Sequence, residues 1–232
     1  MSAPRTFLLV HCGFAGGWTW QATAAELRRR GHLVHAPTLT GLGERAHLAR
    51  PETDLDTHVQ DLVGVVECEA IDRFTVVASS SGSMAATGLA DRLPGQIERL
   101  VYIDTLVPQN GQSWMDLLGP TVAAPLLEAA RLHGDGWRVP RSDVEPPRWT
   151  PQPLASVTQP IRLRTTTTAS FARHYVHCTA RPAGWFFGLG DVIDREAARL
   201  RAAGWPIHPL ASDHLPMLSQ PQALADLLDR LP

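Results

Sequence analysis

The stretch FTVVASSSGSMA, residues 74–85, joins an apolar, β-branched run to a helical pattern through three consecutive serines. A strand-to-helix connection needs one capping residue, so two further hydroxyls on the same turn require another reason. Ala78-Ser79-Ser80-Ser81-Gly82 fits the strand–turn–helix pentapeptide G-x-S-x-G, with Ala78 where the first glycine would stand. Small residues on both sides suit a strained turn that neighbouring backbone approaches closely. In that register Ser80 is the exposed hydroxyl. The Ser81 N–H then lies at the positive end of the following helix, facing an oxygen on which negative charge can develop. The same serines also read as a plain N-cap, with Ser80 or Ser81 bonding the first free helix amides.

Outward from this turn, short apolar runs alternate with amphipathic ones. Residues 6–10, 33–36, 74–78 and 97–104 predict strands. Residues 18–30, stopped by Gly31, residues 54–71 and residues 84–93 predict helices, the second with Leu55, Val59, Leu62, Val63 and Val66 on one face. Such alternation predicts right-handed crossovers and a mostly parallel sheet covered on both faces, an α/β, doubly wound class. From Pro108 to about Thr168 the rhythm breaks. That stretch carries many prolines, Trp114, Trp137 and Trp149, and helical pieces at 114–118 and 122–132, with no strand signal. It reads as a small helical cap inserted into a single domain spanning residues 1–232. Strands at 175–178 and 207–210 and helices at 191–203 and 220–231 follow. The only low-complexity run is TTTT at 165–168.

Composition narrows the classes of function. A chain of 232 residues, 44% apolar, is long enough for one core. The net charge is -2 and there is no run of like charge, so neither nucleic acid nor an anionic membrane is an expected partner; a small-molecule substrate is. The basic residues are all arginine, which together with abundant Ala, Leu and Pro points to a GC-rich bacterial genome. Cys12, Cys68 and Cys178 lie far apart without a CxxC, which argues against a zinc site or disulfide framework and fits a reducing cytoplasm. No window approaches the ~20 apolar residues of a membrane span, and the N-terminal apolar stretch is too short for a leader. A monomer or a homodimer is expected.

Two further segments bear on the serine turn. Ala211-Ser212-Asp213-His214-Leu215-Pro216-Met217 follows a strand and precedes the last helix, where a general base would come after the serine in chain order. His11-Cys12-Gly13-Phe14-Ala15-Gly16-Gly17-Trp18 follows the first strand, where a second oxyanion-binding amide is required. His214 alone reads equally as a solvated loop histidine, and the glycines alone as a tight turn.

With these three segments in order, the chain resembles the α/β-hydrolases, and within them the branch of pyrethroid-hydrolase-like esterases, plant methylesterases and hydroxynitrile lyases. The matching stretches are FLLVHCGFAGGWTW, GHLVHAPTLTGLGERAHL, VVASSSGSMAATGLADRLPGQIERLVYIDTLVP, YVHCTARP and HLPMLSQPQALADLL; the insertion is largely unmatched. The resemblance implies Ser80 as nucleophile, His214 as base, an oxyanion hole from the Gly13 and Ser81 amides, and no cofactor. The chain departs from the branch at Cys12, Ala78, Ser79 and Ser83, where glycine, glycine, histidine and glycine are usual.

The acid is a fifth departure. Members of the branch carry it shortly after the strand that here reads YVHCT, yet ARPAGWFFGLG follows, with Trp185 and Phe186 in place of an aspartate. Asp104, ending the strand after the serine strand, is the leading alternative, and it also reads as a structural aspartate. Asp191 and Asp194 read as charges at a helix start, and Asp213 adjoins His214 too closely in sequence to turn back on it. His58 reads as lying on a surface helix face, and Glu44 with Arg45 as a pair ordering the loop above the sheet. No histidine pair has convincing metal spacing.

The expected chemistry is hydrolysis of a carboxylic ester or related acyl bond of a small hydrophobic substrate, aromatic ones among the candidates. Trp114, Trp137, Trp149, Leu117, Leu118, Leu126, Leu127, Trp185 and Phe186 are candidates for its pocket or for plain core. The missing acid keeps open a lyase, cyclase or dehydratase of secondary metabolism on the same fold, or a silent ligand-binding relative.

Overall fold

A computed structural model describes residues 3–141, 148–164 and 171–232; the TTTT run lies outside the described residues. In chain order the elements are β1 (Thr6–Val10), α1 (Gln21–Arg29), β2 (Leu33–His35), α2 (Leu55–Cys68), β3 (Phe74–Ser79), α3 (Gly82–Arg92), β4 (Ile97–Ile103), α4 (Trp114–Leu118), α5 (Pro120–His133), β5 (Arg138–Val139), β6 (Gln152–Pro153), α6 (Ala155–Thr158), β7 (Ala172–Cys178), α7 (Trp185–Ala202), β8 (Ile207–Leu210), α8 (Pro216–Ser219) and α9 (Pro221–Arg230). Six strands form one parallel sheet in the order β2-β1-β3-β4-β7-β8.

Strand periodicity divides the core into two layers. Phe7 and Leu9 of β1, Val77 of β3, Val101 and Ile103 of β4 and Val176 of β7 face one side, packed with Trp20, Leu27 of α1 and Leu224 and Leu228 of α9. Leu8 and Val10, Val76 and Ala78, Leu100 and Tyr102 and Tyr175 face the other, under α2, α3 and α7. Each fully buried side chain of this size contributes roughly 1.5–3 kcal/mol of transfer free energy. The two covered faces explain why these strands read as continuous apolar runs. Between β1 and β3 the chain changes its direction of winding, so the loops after these two strands diverge and open a crevice at their carboxyl ends.

Local structure departs from sequence expectation where a backbone feature intervenes. The first turn before α1 is a 3₁₀ turn, Gly17–Trp20. Asp54 caps α2 by accepting the Thr57 N–H, so that helix starts after it. It ends at Cys68 because Ala70 turns left-handed (φ 49°) and the Ile71 N–H closes back on Val66 O at 2.9 Å. The insertion between β4 and β7, expected to be strandless, contains the short antiparallel pair β5 and β6. The span α7 is broken by left-handed backbone at Phe186, Phe187 and Gly188, so its regular right-handed helix begins after Gly188, close to the expected start near residue 191. Asp191 lies in the first turn of that regular helix, as a charge at its positive end, and Asp194 one turn further on, bonded to His177 and Arg181. Among the described residues no helix is long and apolar enough to cross a membrane.

Candidate active site

Five sheet strands end on the same edge, and their loops bring together Gly13 after β1, Ser80 and Ser81 after β3, Asp104 after β4, Arg181 after β7 and His214 after β8. Ser80 has φ 51°, a conformation that costs a non-glycine residue of order 1–3 kcal/mol and persists only when its surroundings enforce it. They do so here. Its carbonyl accepts the Thr105 hydroxyl at 2.6 Å and the Ser83 N–H at 3.0 Å. The N-cap reading does not describe this turn, because Ser81 has helical φ and ψ and makes no side-chain capping bond. A Cβ on Gly82 would lie 2.3 Å from the carbonyl oxygen of His11, so only glycine lets β1 approach the start of α3.

Asp104 leaves β4 in a left-handed turn, φ 45°. Its N–H donates to Val176 O at 2.8 Å, and the next residue, Thr105, exchanges two bonds with the Tyr175 hydroxyl. Strand β7 thus fixes the turn. The carboxylate is fully buried, and Oδ2 lies 2.7 Å from His214 Nδ1. Oδ1 accepts the Cys178 N–H at 3.0 Å and a bond from Arg181, whose guanidinium also donates to Cys178 O and Asp194. Burial disfavours the charged Arg181, and the carboxylates of Asp104 and Asp194 outweigh it, holding its pKa above the ordinary value. Arg181 carried no signal in the sequence, since a lone arginine in a loop reads as a surface charge. Asp194 lies elsewhere, bonded to His177 at 2.7 Å and to Arg181. Asp213 accepts the Leu215 N–H and the Ser219 hydroxyl.

Ser80 and His214 line one cavity, about 530 Å³ counted out to its mouth, together with Gly13 and Ser81. Ser80 and His214 are not directly hydrogen-bonded. Among the described residues the Gly13 and Ser81 amides donate to no protein acceptor, which leaves them available to an oxygen of a bound molecule. The loop that presents Gly13 is held by the insertion: Gln152 Oε1 accepts the Phe14 N–H at 3.0 Å, and the Thr150 N–H donates to Phe14 O at 2.8 Å. Cys12 also lines the cavity, but burial pushes its thiol up to about 12, so it is not a thiolate nucleophile near neutrality.

The remaining wall is apolar. Trp114, Leu118, Leu126, Trp149, Trp185 and Phe186 line it, whereas Leu117 packs on the core, Leu127 is exposed and Trp137 lies under Arg138. Trp185 packs against the His214 imidazole in a tilted arrangement, 4.4 Å between ring centres and 42° between planes. Arg141 enters the same wall, over the rings of Phe14 and Trp149.

Two expectations about other residues are corrected. His58 is buried, not on a surface face, and bonds Thr40 O at 2.9 Å. Arg45 pairs with Asp61 at 3.3 Å and Thr38 O at 2.7 Å instead of Glu44. Among the described residues no cluster of three His, Cys, Asp or Glu side chains could hold a metal ion.

The sequence profile of the Alpha/beta hydrolase family matches residues 7–227. A carbendazim hydrolyzing esterase of Nocardioides sp. (strain SG-4G) is 44% identical over 128 residues, covering 55% of this chain and 52% of that protein. Putative methylesterase 13, chloroplastic, of Arabidopsis thaliana is 23% identical over 253 residues, covering 98% of this chain and 56% of its own length. The chain thus spans about half the length of these curated relatives. An extracellular alpha/beta-hydrolase from a Paenibacillus species shares the fold with TM-score 0.80 at 19% identity, covering 97% of this chain and 98% of the other.

Proposed function

The chain belongs to the alpha/beta hydrolase family, and from that premise we propose that it is a serine esterase hydrolysing a carboxylic ester of a small hydrophobic, aromatic substrate. Ser80 Oγ attacks the ester carbonyl carbon while His214 Nε2 takes its proton, and the N–H groups of Gly13 and Ser81 receive the oxyanion. His214 then gives that proton to the leaving alcohol oxygen. Water, deprotonated by the same nitrogen, cleaves the acyl-serine and restores the Ser80 hydroxyl. The Ser80–His214 hydrogen bond closes as the substrate seats, since such bonds tighten in the Michaelis complex. Asp104 holds the imidazole in the tautomer with Nδ1 protonated and stabilises the imidazolium.

The observation that carries this reading is the 2.7 Å contact of Asp104 with His214 beside a serine held at φ 51°. It weighs against the non-hydrolytic alternatives, which drew on the missing acid. The aromatic wall supports the substrate class, and the described part of the insertion between β4 and β7 acts as a cap that supplies much of that wall. The esterase and methylesterase relatives agree with ester cleavage. Neither a metal nor a cofactor enters the mechanism, and the free thiols Cys12, Cys68 and Cys178 fit a reducing bacterial cytoplasm. A fluorophosphonate probe tests the proposal: rapid labelling of the parent chain and none of Ser80→Ala is expected, and an unlabelled parent chain overturns it.

A further inference from the structure

We propose that Arg181 is a positioning residue for the catalytic acid, an inference that rests on the reading of Asp104 and His214 given above. A carboxylate is free to rotate about its terminal torsion, which has broad wells, and either oxygen can then face the imidazole. Here Oδ1 is occupied from the β7 end by the Cys178 N–H and by Arg181, leaving Oδ2 for His214 Nδ1. The guanidinium is itself fixed, only 7% exposed, by three acceptors: Asp104 Oδ1, Cys178 O and Asp194. Its rigid fork suits such multiple anchoring, which an ammonium does not reproduce.

Charge acts in the same direction. Burying a carboxylate costs free energy unless an opposite charge and hydrogen bonds accompany it. Arg181 supplies the compensating cation at Oδ1 without competing for Oδ2. It does not line the substrate cavity. It faces a separate cavity, about 600 Å³ counted out to its mouth, lined also by His177, Thr179, Asp191 and Asp194. Its effect therefore falls on turnover and not on substrate binding.

The test measures kcat and KM on 4-nitrophenyl butyrate for the parent enzyme, Arg181→Met, Arg181→Lys, Asp104→Asn and the Asp104→Asn/Arg181→Met double variant. Arg181→Met should lower kcat about 10- to 100-fold, the usual loss on removing a partner that orients a functional ligand, with KM within about twofold. Arg181→Lys, which keeps the charge without the fork, should fall between. In the Asp104→Asn background Arg181→Met should add little, because a residue acting through Asp104 is non-additive with it. Parental kcat in either single Arg181 variant overturns the proposal. So does an equal fold-loss in both backgrounds, the mark of a purely structural arginine. Parental turnover in Asp104→Asn sinks instead the reading of the site on which the proposal rests, so the two failures are distinguishable.

Discussion

Asp104 and His214 are 110 residues apart in sequence and 2.7 Å apart in space, joined because β4, β7 and β8 are adjacent parallel strands whose ends share one edge of the sheet. Asp104→Asn keeps the size of the side chain and can hold the imidazole in the wrong tautomer. By analogy with Ser-His-Asp proteases the loss in kcat approaches ~10⁴, and the unfolding midpoint should also fall, because the buried Arg181 guanidinium loses one of its paired charges. Asp191→Asn should be near parental, since its side chain does not contact His214. Equal rates in both variants would remove Asp104 from the site.

Among the three serines, only Ser80 stands on the left-handed turn. Ser80→Ala should abolish hydrolysis of an aryl ester. Ser79→Ala and Ser81→Ala should keep most of it, because Ser79 faces the interior and Ser81 contributes its backbone N–H. Steady-state rates decide the matter, and a fully active Ser80→Ala enzyme would falsify the assignment.

Gly82→Ala drives a methyl group against the backbone carbonyl of His11, which no rotamer change relieves. Overpacking of this kind costs typically about 1–3 kcal/mol, and here it also shifts the turn that carries Ser80. Both the unfolding midpoint and the esterase rate should fall. A variant with parental values of each would show that β1 and α3 can separate freely.

His11 is buried and neutral, with Nε2 accepting the Leu39 N–H at 3.0 Å and Nδ1 bonded to Cys12 O at 2.7 Å. Burial lowers its pKa to about 4 from 6.5. The unfolded chain therefore binds more protons between those values, and stability falls as pH drops from 6.5 toward 4. The full contribution is about 3 kcal/mol at ~1.4 kcal/mol per unit. Urea unfolding at pH 7, 5.5 and 4.5 should show this slope, and His11→Gln should reduce it, with His58, His174 and His208, whose pKa values burial also lowers, carrying the rest. An unchanged slope would assign the acid sensitivity to other groups.

Trp185 both lines the cavity and packs at a tilt against His214. Trp185→Ala should raise KM for a naphthyl ester more than for an ethyl ester, by roughly tenfold if about 1.4 kcal/mol of aromatic contact is lost. KM values that move together for the two esters would mean that this ring packs against the imidazole without contacting substrate.

By itself the sequence determined the alternation of strands and helices, the two-faced parallel sheet and the turn at Ser80, because these rest on short-range periodicity and on residue sizes within a few positions. The order of Gly13, Ser80 and His214 along the chain was legible for the same reason, each being marked by its own strand end. The tertiary structure alone decided which carboxylate meets His214, since Asp104, Asp191, Asp194 and Asp213 differ little in local context and differ decisively in where the sheet places them, Asp104 on the turn after β4 that points across the end of β7 to the loop after β8. It alone disclosed Arg181 and Gln152, whose partners lie 77 and 138 residues away. The same cause misplaced His58 and Arg45. A helical face reads as exposed until the loop that covers it is in place, and an ion pair reads as local until the sheet brings a more distant carboxylate within reach.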